Sequence, residues 1–345
     1  MLRVLVPAAV LGVMLAVLFG AVSDIGKQSA SYRRTVDRGF ASLAGSVAIA
    51  SSASGATVQS ILTNGPSLDR IAFFSTLDTV ATQTAHQAQE LLSYTSPAPA
   101  AAVGACRTAL DDRAAAASDL RQAFEDLLGG RTGSSPISPG AALPEADSGA
   151  SVAAQGDLAW QECQQDLSKA PGKPKLADST WTTYPTAWSG LWLASLLPQI
   201  AGSPSLAAHS SLGVVAVSTN PSVLVAGGTP QVPSTNALTV HVVVSNTGNV
   251  DQPGVRVTAN LAGGRVDGPS SLSAFVALPA GRSMAIVLGP FAVVPGTGYT
   301  LSVTASPPTG AGTATSSLGL QVAAVPTTTT TTTVPPKSKA PRTTP

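Results

Sequence analysis

Apolar residues recur at steps of three and four along much of the segment from residue 24 to about residue 205. Two stripes are Phe73, Leu77, Val80, Ala81, Thr84, Ala88 and Leu91, and then Leu110, Ala114, Ala117, Leu120, Phe124 and Leu127. This spacing places the apolar side chains on one face of an α-helix and predicts an all-α domain over 24–205. The Ser-, Gly- and Ala-rich stretch 50–56 is a candidate break in an earlier helix, and Ser67 is a candidate N-cap.

From about Ser211 the apolar period changes to two. The alternating runs are Val214, Ala216 and Ser218, then Leu238, Val240, Val242 and Val244, then Val255, Val257, Ala259 and Leu261. This alternation is typical of half-buried β-strands. The loop at 246–249 predicts a hairpin, and later runs bring the total to about seven short strands over 211–324, as in an immunoglobulin-like sandwich.

Two segments lack periodicity. Residues 129–156 are rich in Gly, Pro, Ser and Ala, which predicts a disordered insertion in the helical domain. Residues 325–345 are rich in Thr and Pro and contain too few apolar residues to form a core, which predicts a disordered tail.

The first segment of the chain is apolar. Residues 4–22 carry no charge, and about 19 residues at 1.5 Å rise nearly match the roughly 30 Å hydrocarbon core of a bilayer. We predict a signal anchor, a single transmembrane helix, over residues 1–23; a cleaved signal peptide and secretion are the alternative. The cationic residues that follow, among them Lys27 and Arg33, favour a cytoplasmic body by the positive-inside rule, but large domains translocate largely regardless of charge.

The composition limits the classes of partner. A net charge of +1 and only 11% charged residues give no basis for nucleic-acid binding. Hydrophobic residues make up 44% of the chain and aromatic residues 4%, so Ala, Val and Leu supply most of the predicted cores. Such a composition is typical of bacterial genomes of high GC content.

Two cysteines lie on different predicted helices. Cys106 is one turn before Leu110, and Cys163 shares a third apolar stripe with Trp160 and Leu167. An even number of cysteines in an exported protein favours a disulfide, which we predict between Cys106 and Cys163. Two buried free thiols are the alternative.

All four tryptophans fall within residues 160–192. Trp181, Tyr184, Trp188 and Trp192 repeat at nearly helical steps, and Pro185 places the start of that helix near residue 186. These rings either form the core or packing edge of the helical domain, or present a binding face for a glycan, a peptide or the membrane interface.

No known catalytic motif occurs in the strand and helix context that it requires. His86, His209 and His241 have no second ligand at metal spacing, so we predict no metal site and no cofactor. Arg113 and Arg121 lie beside acidic residues on a predicted helix, which indicates ion pairs on a wet surface rather than acid–base catalysis. The chain is therefore predicted to be non-enzymatic.

The strand region resembles the bacterial cell-adhesion-related domain called CARDB and related surface-protein sandwiches. The resemblance is carried by the Asn-x-Gly turn at Asn246 and Gly248 and by a later Leu-x-x-Gly at Leu278 and Gly281. It covers about a third of the chain and implies a stalk, spacer or adhesive module without catalytic residues.

Together these patterns predict a membrane-anchored, extracytoplasmic interaction or scaffold protein of the bacterial cell envelope. The expected partners are the cytoplasmic membrane, through residues 1–23, and an unidentified surface protein or wall glycan. A sensory or regulatory ectodomain acting through a partner subunit is the second hypothesis, and a wall-modifying enzyme is the third.

Overall fold

The computed structural model describes residues 38–92, 94, 100–170, 173, 175–226, 229–308 and 312–326. The predicted anchor at 1–23 and all but the first two residues of the predicted tail lie outside these ranges. The chain divides into two compact units, one reaching His209 and including Asn249–Asp251, and the other formed by Ser210–Gly248 and the residues from Gln252 onward. We call them the helical unit and the sheet unit.

Five α-helices are described in the helical unit, as the spacing of apolar residues predicts. They are α1 (38–64), α2 (Arg70–Leu92), α3 (Ala100–Leu128), α4 (Pro139–Lys169) and α5 (Gly190–Ala201), with short 3₁₀ turns at Gly65–Ser67 and Pro185–Trp188. The large side chains of the predicted stripes, such as Phe73, Leu91, Leu110 and Phe124, are buried. The three-and-four spacing therefore identified the core faces of α2 and α3.

Helix α1 is continuous through the stretch 50–56, so the candidate break there is wrong. The hydroxyls of Ser54 and Thr57 donate hydrogen bonds to carbonyl oxygens one turn earlier in the helix. These hydroxyls are therefore satisfied within the helix and do not favour a non-helical backbone conformation. The cap of α2 is also corrected. Asp69, rather than Ser67, accepts a hydrogen bond from a backbone N–H three residues later, at 2.9 Å.

The segment Arg38–Ser67 is long and apolar enough to cross a membrane, alone among the helices in the described part of the chain. Of its most apolar window, 44% is buried inside the structure. Phe40, Val47 and Ile61 are among its buried side chains. Packing within the helical unit therefore covers part of the apolar surface of this helix.

The prediction of a disordered insertion at 129–156 is wrong from residue 139 onward. Helix α4 begins at Pro139, where Ser138 caps it, and continues past Gly156. The buried face of this part consists of small residues at helical spacing: Ala142, Ala146, Gly149, Ala150, Ala153 and Gly156. A Cβ added at Gly156 would lie only 3.0 Å from the carbonyl oxygen of Ala109 on α3. The glycines and alanines that resemble a linker instead allow α4 to pack closely on α3.

A disulfide joins α3 to α4 through Cys106 and Cys163, whose Cα atoms are 4.9 Å apart, and this confirms the predicted bridge. Both cysteines are buried in an apolar cluster that includes Phe40 and Trp160. The two cysteines are 57 residues apart. Closing a loop of that length restricts the unfolded chain by about 4 kcal/mol in the chain-entropy account.

Strands make up the sheet unit, as the two-residue period predicts. They are β1 (Leu212–Asn220), β2 (Leu224–Ala226), β3 (Thr229–Val232), β4 (Ala237–Asn246), β5 (Gln252–Ala262), β6 (Ser271–Leu278), β7 (Ser283–Ala292), β8 (Gly298–Ser306) and β9 (Ala314–Val322). One sheet has the order β1-β4-β7 and the other the order β2-β3-β9-β8-β5-β6. Side chains from both sheets, Val242 and Val257 among them, form one apolar core.

Strands β4 and β5 do not form the predicted hairpin. β4 pairs with β1 and β7 in one sheet, whereas β5 pairs with β6 and β8 in the other. The buried side chain of Asn246 organises the change of sheet: its Oδ1 accepts from Gly248 N, and its Nδ2 donates to Leu278 O, each at 3.0 Å. The Asn-x-Gly turn is thus held against the end of β6.

The predicted core stripe of β1 is also interrupted. The register between β1 and β4 shifts between Val214 and Ala216, which marks a bulge. Val214 and Val217 pack against the core, whereas Ala216 and Ser218 are exposed. The extra residue in the bulge changes which side chains face inward, so strict alternation fails there.

Candidate functional site

The four predicted site aromatics do not lie on one helix. Residues 175–184 are largely irregular, the 3₁₀ turn Pro185–Trp188 follows, and α5 begins at Gly190 with Ser189 as its N-cap. Trp181 and Trp188 are buried, and Tyr184 and Trp192 are 66% and 39% exposed. The first alternative therefore describes Trp181 and Trp188, which lie in the core, whereas the rings of Tyr184 and Trp192 lie at the surface.

The two buried rings hold residues 179–192, which we call the aromatic segment, against α1. Trp181 Nε1 donates to the carbonyl oxygen of Ser51 at 2.8 Å, and Trp188 Nε1 donates to Gln59 Oε1 at 2.7 Å. A Cβ at Gly55 would lie 2.6 Å from the Trp181 ring, so glycine is required for this contact. These contacts hold the rings of Trp181 and Trp188 in fixed positions against α1.

A buried ion pair between α3 and α4 holds the same segment. Arg113 on α3 donates to Asp157 on α4 at 2.9 Å and to the side-chain and backbone oxygens of Ser179. Asp157 also accepts hydrogen bonds from the backbone N–H groups of Trp181 and Thr182 and from the Thr182 hydroxyl, all at 2.8–3.1 Å. The pair therefore joins α3, α4 and the aromatic segment at one point.

The prediction of a wet-surface position for Arg113 is wrong, because its side chain is buried. Burial lowers the pKa of the Arg113 guanidinium, and the charge and hydrogen bond of Asp157 oppose that shift. The prediction holds for Arg121, which is partly exposed and pairs with Asp78 at 3.1 Å and with Glu125 at 3.4 Å.

An open groove lies between α1 and the aromatic segment, and we call it the aromatic groove. Its volume is about 630 Å³, within the range of about 300–1,000 Å³ that is usual for small-molecule sites. The α1 wall consists of Ala56, Gln59, Ser60, Thr63 and Asn64. The opposite wall consists of Trp181, Thr183, Tyr184, Thr186, Ala187 and Trp192. None of these side chains is a carboxylate, an amine, a guanidinium, an imidazole or a thiol.

The exposed rings stand at this groove. Trp192 Nε1 donates to the carbonyl oxygen of Leu62 at 2.9 Å, which fixes the orientation of the indole while part of its surface stays open. Tyr184 is more exposed, and the neighbouring Leu191 on α5 is 88% exposed. A ligand at the groove therefore meets aromatic surface that is already in place.

The amide of Gln59 has a defined orientation. Its Oε1 accepts the hydrogen bond from Trp188, so the other end of the amide is the nitrogen. Nε2 is buried and has no hydrogen-bond partner among the residues that the structure describes. A buried donor without a partner costs about 1–3 kcal/mol.

Sequence reasoning identified the aromatic wall of the groove but missed the α1 wall and Asp157. The α1 wall is visible in retrospect, because Ala56, Gln59, Ser60 and Thr63 recur at helical spacing and are small or polar. Asp157 carries no local pattern. Its partner Arg113 is 44 residues away in the chain.

The histidines do not contribute to the groove. The imidazole of His86 is largely exposed and lies 4.0 Å from Glu90 on the same helix. Within the ranges that the structure describes, no group of three or more His, Cys, Asp or Glu side chains is arranged to hold a metal ion. His209 and His241 are exposed.

No protein-family model matches the chain, and no curated protein matches it. Among solved structures, the crystal structure of the β-glucosidase from Listeria innocua in complex with glucose matches 34% of this chain and 17% of its own chain, at 11% sequence identity and a TM-score of 0.22. The match spans less than a fifth of that enzyme. A TM-score this low carries no conclusion about fold or activity.

Proposed function

We propose that this chain is a membrane-anchored, extracytoplasmic, non-enzymatic interaction protein of the bacterial cell envelope. In this proposal the helical unit binds an envelope component in the aromatic groove. The observation that carries it is the groove itself, where Tyr184 and Trp192 stand exposed on a floor fixed by buried rings. Exposed aromatic side chains in fixed positions are typical of binding sites.

The chemistry of the lining supports binding rather than catalysis. General acid–base catalysis uses side chains that exchange protons near the working pH, most often histidine or a carboxylate. The lining instead supplies aromatic rings, hydroxyls and the amides of Gln59 and Asn64. Such groups orient a ligand and do not supply a proton-transfer pair.

Two features support a location outside the cytoplasm. The disulfide between Cys106 and Cys163 is of a kind that persists mainly in oxidising compartments. The uncharged residues 4–22 have the length and composition of a membrane anchor.

For the sheet unit we propose an immunoglobulin-like spacer of the CARDB kind. Its two sheets enclose a valine-rich core, which supports this assignment. The hydrogen bond from Asn246 to Leu278 supports it further, because it joins the two turn motifs on which the resemblance rests. In this role the sheet unit separates or presents the helical unit and does not itself recognise the ligand.

The location is tested by proteolysis of intact and lysed cells. One epitope tag follows Ser135 in the exposed loop between α3 and α4, and a second is inserted at Gly281 in the turn between β6 and β7. We expect added protease to remove both tags from intact cells. Protection of both tags until lysis contradicts the extracytoplasmic proposal.

Binding is tested by the retention of the purified full-length chain on an isolated, protein-stripped cell-wall fraction and on intact envelopes. Trp192→Ala is expected to reduce retention, because it removes a groove ring. The matched control is Phe275→Ala, which removes a 72% exposed ring from the sheet unit and is expected to leave retention unchanged. Equal retention of all three proteins contradicts a role for the aromatic groove.

A further inference from the structure

We infer that the ligand of the aromatic groove is a neutral sugar, as a unit of an uncharged glycan chain. This inference rests on the proposed function and specifies the ligand class of the same site. Three properties of the lining lead to it: its charge, the placement of its aromatic surface, and the character of its polar groups.

Among the residues that the structure describes, the lining includes no side chain that is charged at neutral pH. Sites for phosphate-rich or uronate-rich polymers use arginine, lysine or clusters of backbone N–H groups to offset the ligand's charge. Burying a charged ligand against the uncharged walls of this groove incurs a desolvation cost without a compensating ion pair. The groove therefore favours a ligand without net charge.

The aromatic surface suits the C–H face of a pyranose ring. The face of an aromatic ring carries partial negative charge, and it attracts the weakly positive C–H groups of a sugar as well as excluding water. Because Trp192 is held by its hydrogen bond to Leu62 O, less side-chain freedom is lost on binding. Tyr184 supplies a second, more exposed ring at the same groove.

The polar groups of the lining suit a ligand rich in hydroxyls. They are hydroxyls and primary amides, which both donate and accept hydrogen bonds, as sugar hydroxyls do. The unpartnered Gln59 Nε2 adds a donor whose orientation is set by the bond from Trp188. An extended peptide instead requires backbone groups or apolar pockets in register with its side chains, and an uncharged mixed lining does not favour it over a glycan.

The test is calorimetric titration of the full-length chain in a zwitterionic detergent, because detergents with sugar headgroups would compete for the groove. The neutral probes are cellotriose and chitotriose. The anionic probe is trigalacturonate, and the peptide probe is a synthetic copy of residues 325–336, the neutral part of the Thr/Pro segment. We expect saturable binding of at least one neutral trisaccharide and weaker or no binding of the other two probes.

The site is tested with three variants. Trp192→Ala and Tyr184→Ala each remove a groove ring, and about tenfold weaker sugar binding is expected for the first. Gln59→Glu keeps the acceptor for Trp188, removes the N–H donors and adds a carboxylate at a buried position, so weaker binding is expected together with a lower melting temperature. Phe275→Ala is the control with unchanged binding.

The sugar inference is overturned if neither neutral trisaccharide binds, if trigalacturonate or the peptide binds more tightly, or if the two ring variants bind sugar like the parent. Its failure is distinguishable from that of the proposed function. Trp192-dependent retention on the envelope or wall fraction without trisaccharide binding rejects only the sugar, whereas loss of that dependence rejects the groove as the binding site.

Discussion

Replacing Asp157 by alanine is expected to lower the free energy of unfolding of the helical unit by at least about 4 kcal/mol. The carboxylate neutralises Arg113 and accepts hydrogen bonds from Trp181 and Thr182. A buried guanidinium that loses its counter-charge accounts for about 3–5 kcal/mol. Each backbone N–H left buried without an acceptor adds about 1–3 kcal/mol.

The measurement is unfolding in guanidinium chloride with the disulfide kept oxidised, followed by tryptophan fluorescence. All four tryptophans lie within 160–192, so the signal reports on the helical unit alone. The matched control is Asp166→Ala, which breaks a pair with Lys169 that has the same 2.9 Å separation but lies near the surface. For that variant the expected loss is below about 1 kcal/mol.

A double variant separates charge from packing. Arg113→Met combined with Asp157→Asn removes both charges. The free energy of unfolding of this double variant is expected to fall by about 1–3 kcal/mol less than the sum of the losses measured for Arg113→Met alone and Asp157→Asn alone. The stabilising role of the pair is refuted if Asp157→Ala and Asp166→Ala lower the free energy of unfolding equally. It is also refuted if the loss in the double variant equals the sum of the two single losses, because the buried charges of Arg113 and Asp157 would then not stabilise each other.

Replacing both Cys106 and Cys163 by serine is expected to lower the free energy of unfolding by about 4 kcal/mol, and a reductant should have a similar effect on the parent chain. Gly156→Ala is expected to lower the melting temperature, because its Cβ would lie 3.0 Å from a backbone oxygen, whereas Gly140→Ala meets no atom within 4 Å and should not lower it. Burial and the neighbouring Asp111 raise the pKa of Asp112 above its ordinary value of 3.8, so the folded state binds its proton more tightly and the ionised form weakens folding at neutral pH. Asp112→Asn is therefore expected to raise the melting temperature at pH 7, with a difference that disappears below about pH 3.8; an equal gain at pH 3 contradicts this cause.

The sequence predicts helices well where their core faces carry large side chains. Phe73 and Phe124 are large apolar side chains on the buried stripes, so the period of α2 and α3 is visible in the sequence. The buried face of α4 carries Gly149 and Gly156 at the same spacing, but their burial is not apparent from hydrophobicity. Close approach of two helices is a property of the pair, and one segment's composition does not reveal it.

The local sequence pattern also does not determine which strands or side chains pair with each other. The alternation in β4 and β5 correctly predicts strands with one buried face each, but it is equally compatible with a hairpin and with two strands in opposite sheets. The same holds for Arg113. An arginine among acidic neighbours indicates a surface pair unless the distant Asp157 is known to face it.

The candidate site is predicted in part for the same reason. The unusual density of aromatic residues identifies Tyr184 and Trp192, which lie at the groove. The sequence predicts a helix from about residue 186, whereas residues Pro185–Trp188 form a 3₁₀ turn and α5 begins only at Gly190, after the Ser189 cap. The division separates buried rings from exposed ones, which a helical projection of the sequence does not reproduce.

The close packing of α4 on α3 has an evolutionary consequence. Stretches rich in glycine, alanine and serine are commonly treated as free to drift, whereas an added methyl group at Gly149 or Gly156 meets α3 at about 3 Å. We therefore expect relatives of this protein to keep small residues at these two positions while exposed neighbours such as Glu145 and Ser148 vary. The Gly- and Ala-rich first half of α4 is then expected to be among the parts of the chain whose sequence changes most slowly.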